Sequence, residues 1–511
     1  MKRPNVLFLF SDQHNARCLS CAGHPDVRTP HLDRLAGEGV RFEQAYANNP
    51  ICTPSRISFL SGLYPSTHGY YGLYGPSPAA PMTSLFRWFR EHGYRTGALG
   101  KLHTPRYWIE ADCQFVYDEF IEFPKYAEGA DLYERNDNRA FLGERDGETS
   151  LLPLEHSCEL ALAKQAVRFM RGEGEPRDRE SAEKPWLAWV SFSRPHQPYT
   201  PSEPFASQYP PEALTLPPVS DGEKAEVRRK RGDLPEARLR KLLAAYLGLV
   251  SQVDHAIGLI VEELERLGQL ENTIVVYCAD HGDYAGEHGL MEKKGGISYS
   301  AITRVPLIVR LPSGSGGPRG TVNRDIVEAV DLFPTLCALA GIDAPNTVQG
   351  SSFAGLLGGG EGEGGFGDGE GSDFGEKKRG GGKSDEGSEG IGQSFTGDDA
   401  AGGSGGFRTS ALTENAYRKA IVAGGWRYVA NLDSEQEDEL YDLDADPWEL
   451  CNRIADPACA DKARDMLRLL LDRTVRARKP INTINGSWHR HAYDRDGRID
   501  LGSCGPSNAY W

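Results

Sequence analysis

At 511 residues, 39% of them hydrophobic and 25% charged, the chain has the composition of a globular protein and the length of two or three domains. A formal net charge of −16 argues against the basic surface that nucleic acid or an anionic membrane demands, so neither is expected as a partner. An anionic substrate would have to be drawn in by local groups rather than by the field of the whole molecule.

Met1-Lys2-Arg3 leads into an apolar run over 6–10 that is too short for a secretory signal, and no segment reads as apolar enough to span a bilayer. Ten scattered cysteines form no tight framework, which favours reduced thiols and a cytoplasmic setting. Cys18-Leu19-Ser20-Cys21 has redox spacing, but no second pair sits at metal-site distance, so a structural role is expected.

In chain order, residues 6–10, 96–99, 186–192, 273–279 and 305–311 read as short, continuously apolar strands, the pattern of a sheet covered on both faces. Between them, 30–38, 82–92, 156–170 and 242–267 carry helical apolar spacing, which predicts an α/β domain with a mostly parallel sheet over 1–357. Residues 358–406 are dense in Gly, Glu, Asp and Ser and nearly empty of aliphatics, so a disordered insertion is expected there. Beyond it, 420–423, 426–430 and 439–442 read as short antiparallel strands, with Gly424-Gly425 as a hairpin turn, followed by a helix over 460–474. That part, 407–511, is expected to form a small α+β subdomain with a tail.

Polar residues gather just after the predicted strands. Asp12 and Gln13 follow the first, Lys101 and His103 the second, His196 the third, and Asp280 and His281 the fourth. Open α/β sheets bind ligands at the carboxyl ends of their strands, so these residues converge on one edge. Asp12, Gln13, Asp280 and His281 supply two carboxylates, an amide oxygen and an imidazole, a donor set suited to a divalent cation. Cys52 stands two residues before Pro54, which places it near a helix N-terminus, where unpaired N–H groups favour anions. Taken alone, that cysteine would read as a small buried hydrophobe.

Cys52-Thr53-Pro54-Ser55-Arg56, with Ser61-Gly62-Leu63-Tyr64-Pro65 and His68-Gly69, closely resembles the signature of the type I, formylglycine-dependent sulfatases. Gly100-Lys101-Leu102-His103, Pro195-His196-Gln197-Pro198-Tyr199 and Asp280-His281-Gly282-Asp283 match further motifs of that family in the same order. The resemblance implies an alkaline-phosphatase-like fold and conversion of Cys52 to formylglycine by a separate maturation enzyme. It implies one divalent metal, held by Asp12, Gln13, Asp280, His281 and residue 52, with Ca²⁺ preferred and Mn²⁺ the alternative. Arg56 and the metal would activate one hydroxyl of the hydrated aldehyde for attack on sulfur, forming a covalent sulfo-enzyme. The second hydroxyl would then expel sulfate. Lys101, His196 and a lysine near 294 would neutralise the sulfate oxygens, His103 would orient the diol, and His196 or that lysine would protonate the leaving alcohol.

Gln13 and His281 stand where many members carry Asp and Asn, a version shared with choline-sulfatase-like and phosphonate monoester hydrolase enzymes. Lys293-Lys294-Gly295-Gly296 holds one lysine more than the family pattern; spacing to Tyr299 selects Lys294, while distance from Gly289-Leu290 points to Lys293. The expected substrate is a small anionic sulfate ester, such as a sulfated sugar. The alternatives are a phosphonate monoester or phosphodiester hydrolase and an unmodified pseudoenzyme. Loops over 70–81 and 106–147 and the charged stretch after Asp221 are expected to set specificity, with Tyr70, Tyr71, Tyr74 and Trp108 open to either substrate stacking or core packing. The late Trp488, His489, His491 and Trp511 would cap a pocket or a homo-oligomer interface.

Overall fold

Alternate residues of the first strand, β1 (Asn5–Asp12), bury into opposite layers, as the two-residue period of a strand requires. Val6, Phe8 and Phe10 enter one apolar cluster, whereas Leu7 and Leu9 enter another. The computed structural model describes residues 3–73, 82–126, 146–173, 184–232, 234–293, 299–358, 407–432 and 436–477, apart from the side chains of 123–126. The predicted insertion over 358–406, all but Gly358, and the tail beyond 477 therefore lie outside the described residues.

The main sheet contains β1, β2 (Val40–Tyr46), β3 (Arg95–Gly100), β4 (Phe115–Asp118), β5 (Trp186–Pro195), β6 (Thr273–Ala279), β7 (Leu307–Arg310) and β8 (Thr321–Glu328). Their order is β4-β3-β5-β1-β6-β7-β2-β8. All neighbours pair in parallel except β7, which runs against both β6 and β2. Helix α1 (Pro30–Glu38), α3 (Cys158–Met170) and α4 (Glu236–Arg266) cover one face with Leu32, Leu162, Phe169 and Ile257. Helix α2 (Cys52–Ser61) and α5 (Leu332–Leu339) cover the other, where Phe59 meets Phe10 edge-on at 5.0 Å and Leu336 packs alongside. The mostly parallel α/β architecture is as expected from the apolar runs.

One expectation needs correcting. Helix α4 is long and apolar enough to cross a bilayer, with a mean hydropathy of 1.4 over its best window. However, 89% of that window is buried inside the fold, so α4 packs as a core helix.

The smaller sheet, β9 (Ala411–Glu414), β10 (Arg418–Ala423), β11 (Trp426–Asn431) and β12 (Glu439–Asp442), is antiparallel in the order β12-β11-β10-β9 and carries α6 (Ala460–Ala477). One buried carboxylate bridges it to the main sheet. Glu328, at the end of β8, accepts from Tyr64 Oη at 2.6 Å, Leu412 N at 2.6 Å and Arg473 at 2.8 Å, and pairs with Arg408 at 3.1 Å. Burial opposes its ionisation, but Arg408 and Arg473 outweigh that and hold Glu328 below the usual carboxylate range. Removing one member of such a buried set leaves the other charges unpaired. Glu328→Ala should therefore cost about 3–5 kcal/mol, read as a lower urea midpoint at unchanged slope.

Candidate active site

The carboxyl ends of four adjacent strands, β3, β5, β1 and β6, deliver Lys101, His196, Asp12-Gln13 and Asp280-His281 to one edge. Helix α2 brings the fifth component. Ile51 is extended and Cys52 opens the helix, so Cys52 sits among first-turn N–H groups. Gly100, at φ +94°, allows β3 to turn toward the site, since a Cβ there would lie 2.0 Å from the Ser191 carbonyl oxygen.

Asp12, Cys52, Asp280 and His281 are buried and offer ligand atoms that all lie within 4.8 Å of one another. The His281 Nδ1–H donates to the Gly282 carbonyl at 2.9 Å, which turns Nε2 toward Cys52 Sγ, 3.3 Å away. Gln13 is held in a left-handed conformation, φ +65°. Its Nε2 donates to Asp283 Oδ2 at 2.6 Å and to Gln197 Oε1 at 2.9 Å, while its buried Oε1 has no hydrogen-bond partner. A buried, unpaired amide oxygen beside two carboxylates and an imidazole fits a hard or borderline divalent cation of the Ca²⁺ or Mn²⁺ kind.

Five further cationic or imidazole side chains belong to the candidate site. Arg56, fully buried, donates to Asp280 Oδ2 at 2.8 Å, Asp12 Oδ2 at 3.0 Å, Ser191 Oγ at 2.7 Å and the Lys101 carbonyl at 2.7 Å. Lys101 Nζ lies 2.5 Å from Asp12 Oδ2 and 4.0 Å from Cys52 Sγ. Lys293 Nζ lies 3.1 Å from Cys52 Sγ and 3.3 Å from His281 Nε2, so the lysine found at the site is Lys293. Lys294, favoured by its spacing to Tyr299, lies outside the described residues. Burial and Asp12 push the Cys52 thiol up, but Lys101, Lys293 and His281 outweigh them and hold it well below the usual thiol value. Burial, then the Lys101 charge, pushes His196 down to about 3, so its imidazole is neutral at pH 7. His196 Nδ1 donates to the Gln197 carbonyl at 2.6 Å. His103, at φ +38°, stacks on Phe120 with ring centroids 5.8 Å apart, and its buried Nδ1 has no hydrogen-bond partner.

Tyr70 and Trp108, which the sequence left open between substrate stacking and core packing, are fully buried in the core. Three supporting residues had gone unassigned. Asp283 lies inside the Asp280-His281-Gly282-Asp283 motif but turns its carboxylate to Gln13 Nε2 and Tyr199 Oη, at 2.6 and 2.5 Å. Ser191 lies within an apolar strand, where nothing in the pattern singles it out. Ser55 Oγ donates to the Asp280 carbonyl at 2.5 Å and locks α2 against the end of β6.

The sequence model of the family described as Sulfatase matches residues 4–342. An arylsulfatase of Clostridium perfringens is 29% identical over 388 residues, covering 70% of this chain and 78% of its own length. An ulvan-active sulfatase of Formosa agariphila is 31% identical over 374 residues, 70% of this chain and 65% of its own. Among solved structures, the phosphonate monoester hydrolase of Agrobacterium radiobacter has a TM-score of 0.72 at 22% identity, over 93% of this chain and 96% of that one, a likeness of fold.

Asp283 and Gln197 both accept from the Gln13 amide nitrogen, Asp283 at the shorter distance, and so point its oxygen inward. Asp283→Asn sets an amide donor against that nitrogen and favours the flipped amide. Affinity for Ca²⁺ and Mn²⁺ should then fall about 10–100-fold, measured by titration calorimetry.

Proposed function

The chain belongs to the sulfatase family and is a sulfuric ester hydrolase, and we propose that it cleaves the sulfate monoester of a small organic alcohol with a formylglycine made from Cys52 and one divalent metal. The observation that carries this reading is the surroundings of Cys52 Sγ. Metal-type donors from Asp12 and His281 and the ammonium groups of Lys101 and Lys293 all lie within 4.0 Å of it. A thiol needs no such company; a group that must be activated and must receive a monoanion does.

Asp12, Gln13, Asp280 and His281 would hold the metal, which supplies Lewis acidity to the nucleophile and the sulfate. The aldehyde hydrate at residue 52 supplies two hydroxyls, one to attack sulfur and one to release sulfate. Arg56 acts on the carboxylates rather than on substrate, since its bonds to Asp12, Asp280, Ser191 and Lys101 occupy its donors. Lys101 and Lys293 face the developing charge on the sulfate oxygens. Lys293 is also the stronger candidate to protonate the leaving alcohol. Its Nζ lies 3.1 Å from Cys52 Sγ, whereas burial pushes His196 down to about 3 and leaves it neutral.

At the sulfur end, a sulfated sugar and any other small organic sulfate meet the same requirement. A phosphonate monoester also carries one negative charge and is the competing substrate. Side-by-side assay of an aryl sulfate and an aryl phosphonate monoester on matured enzyme should give the larger kcat/KM for the sulfate; the reverse order would overturn the assignment. Lys293→Ala should lower kcat/KM on an alkyl sulfate by about 10²–10⁴-fold. The loss should be much smaller on a nitrophenyl sulfate, whose leaving group needs no proton.

A further inference from the structure

Thr53, the neighbour of Cys52, and His103 together line a cavity of about 760 Å³. Its wall is apolar: Leu73, Leu102, Ile109, Val116, Phe120 and Ile121. Leu73, Val116, Phe120 and Ile121 are 49, 45, 49 and 45% exposed, a concentration of half-open apolar side chains in a chain whose other large apolar residues are mostly buried. The His103 ring lies nearly parallel to Phe120, 26° between planes, and extends the wall as a flat aromatic surface. The charged residues of the lining are Arg106, Glu110, Asp118 and Glu122, and Arg106 is already bonded to Glu110 at 2.6 Å. The rim is therefore net negative, opposite in sign to the cations around Cys52.

We propose that this cavity receives the alcohol portion of the ester, and that the substrate is the monosulfate of an uncharged apolar alcohol, aryl or alkyl. The inference rests on the sulfatase reading above, which fixes the sulfate at Cys52. Thr53, which follows Cys52 in α2, and His103, two residues after Lys101, both line the cavity, so it opens on the segments that carry Cys52 and Lys101, and an ester with sulfur at residue 52 would project its alcohol toward it. A cavity of this size exceeds the needs of a very small alcohol and suits a fused ring or a medium alkyl chain. A second sulfate or a carboxylate on the alcohol would meet Asp118, Glu110 and Glu122 and be repelled.

The test is titration calorimetry on the metal-loaded full chain carrying Cys52→Ala, with 2-naphthyl sulfate, glucosamine 6-sulfate and inorganic sulfate as probes. The naphthyl ester should bind about tenfold or more tightly than the sugar ester. Phe120→Asp should remove that advantage and Phe120→Leu should keep it, both leaving inorganic sulfate unchanged; Phe120 is half exposed, so neither change disturbs a packed core. Equal or tighter sugar binding, or naphthyl binding indifferent to Phe120→Asp, would overturn the proposal. Turnover by the matured enzyme separates it from the parent reading. Hydrolysis of sugar sulfates without an aryl or alkyl preference overturns the cavity assignment alone. Failure to hydrolyse any ester, with the Phe120-dependent binding intact, overturns the sulfatase chemistry and leaves the cavity assignment standing.

Discussion

The Arg56 guanidinium bonds at once to Asp12 after β1's last apolar residue, the Lys101 carbonyl beyond β3, Ser191 in β5 and Asp280 beyond β6. One side chain therefore gathers the ends of four strands onto the helix that carries Cys52. A guanidinium with no solvent exposure is tolerable only when its charge is paired and its N–H groups are used, and here both conditions hold. The same bonds set the spacing of the two carboxylates. Without the cation between them, Asp12 and Asp280 would repel across a buried gap, and the metal-type donors would lose their common geometry.

The loop that presents Cys52 is tied down from the other side by the smaller sheet. Asn48 Nδ2 donates to the Leu412 carbonyl at 2.9 Å and Asn49 Nδ2 to the Glu414 carbonyl at 2.6 Å, both in β9. Glu328, which anchors α6 through Arg473, also accepts from Asn48 at 3.3 Å. The C-terminal part thus bears on the site through the backbone just before α2, although none of its described residues belongs to the donor set. The Glu328 pairs with Arg408 and Arg473 are largely buried, which protects them from the screening that weakens surface pairs.

Much of the site was legible because strand ends in an α/β sheet point one way. An apolar run followed by Asp-Gln, Gly-Lys or Asp-His identifies the exit and the edge without any knowledge of the strand order. What the pattern could not show depends on direction or partner. Strand β7 is as apolar as its neighbours, and its antiparallel course follows only from the chain path. Strands β2 and β8 escaped notice because both carry exposed or half-exposed polar residues, in keeping with their place at the outer side of the sheet. Lys293 and Lys294 are adjacent and chemically alike, so only the backbone decides which ammonium meets Cys52. Asp283 sits in a recognisable motif, yet its task, fixing which end of the Gln13 amide points inward, is invisible until the hydrogen bonds are known. Tyr70 and Trp108 fill the core, while Phe120 and three aliphatic side chains stand half open along the cavity that Thr53 and His103 also line.

A chain with a net charge of −16 confines its useful positive charge to Arg56, Lys101 and Lys293, where burial strengthens it. On the proposed reading, that concentration serves a residue 52 converted to a group able to attack and then release an oxyanion. Peptide mass spectrometry across Cys52, on protein coexpressed with a formylglycine-generating enzyme, tests this most directly. The account predicts an aldehyde at residue 52, with sulfate-ester hydrolysis rising in proportion to aldehyde content across preparations. A preparation that carries only the thiol and still hydrolyses the ester at full rate would contradict it.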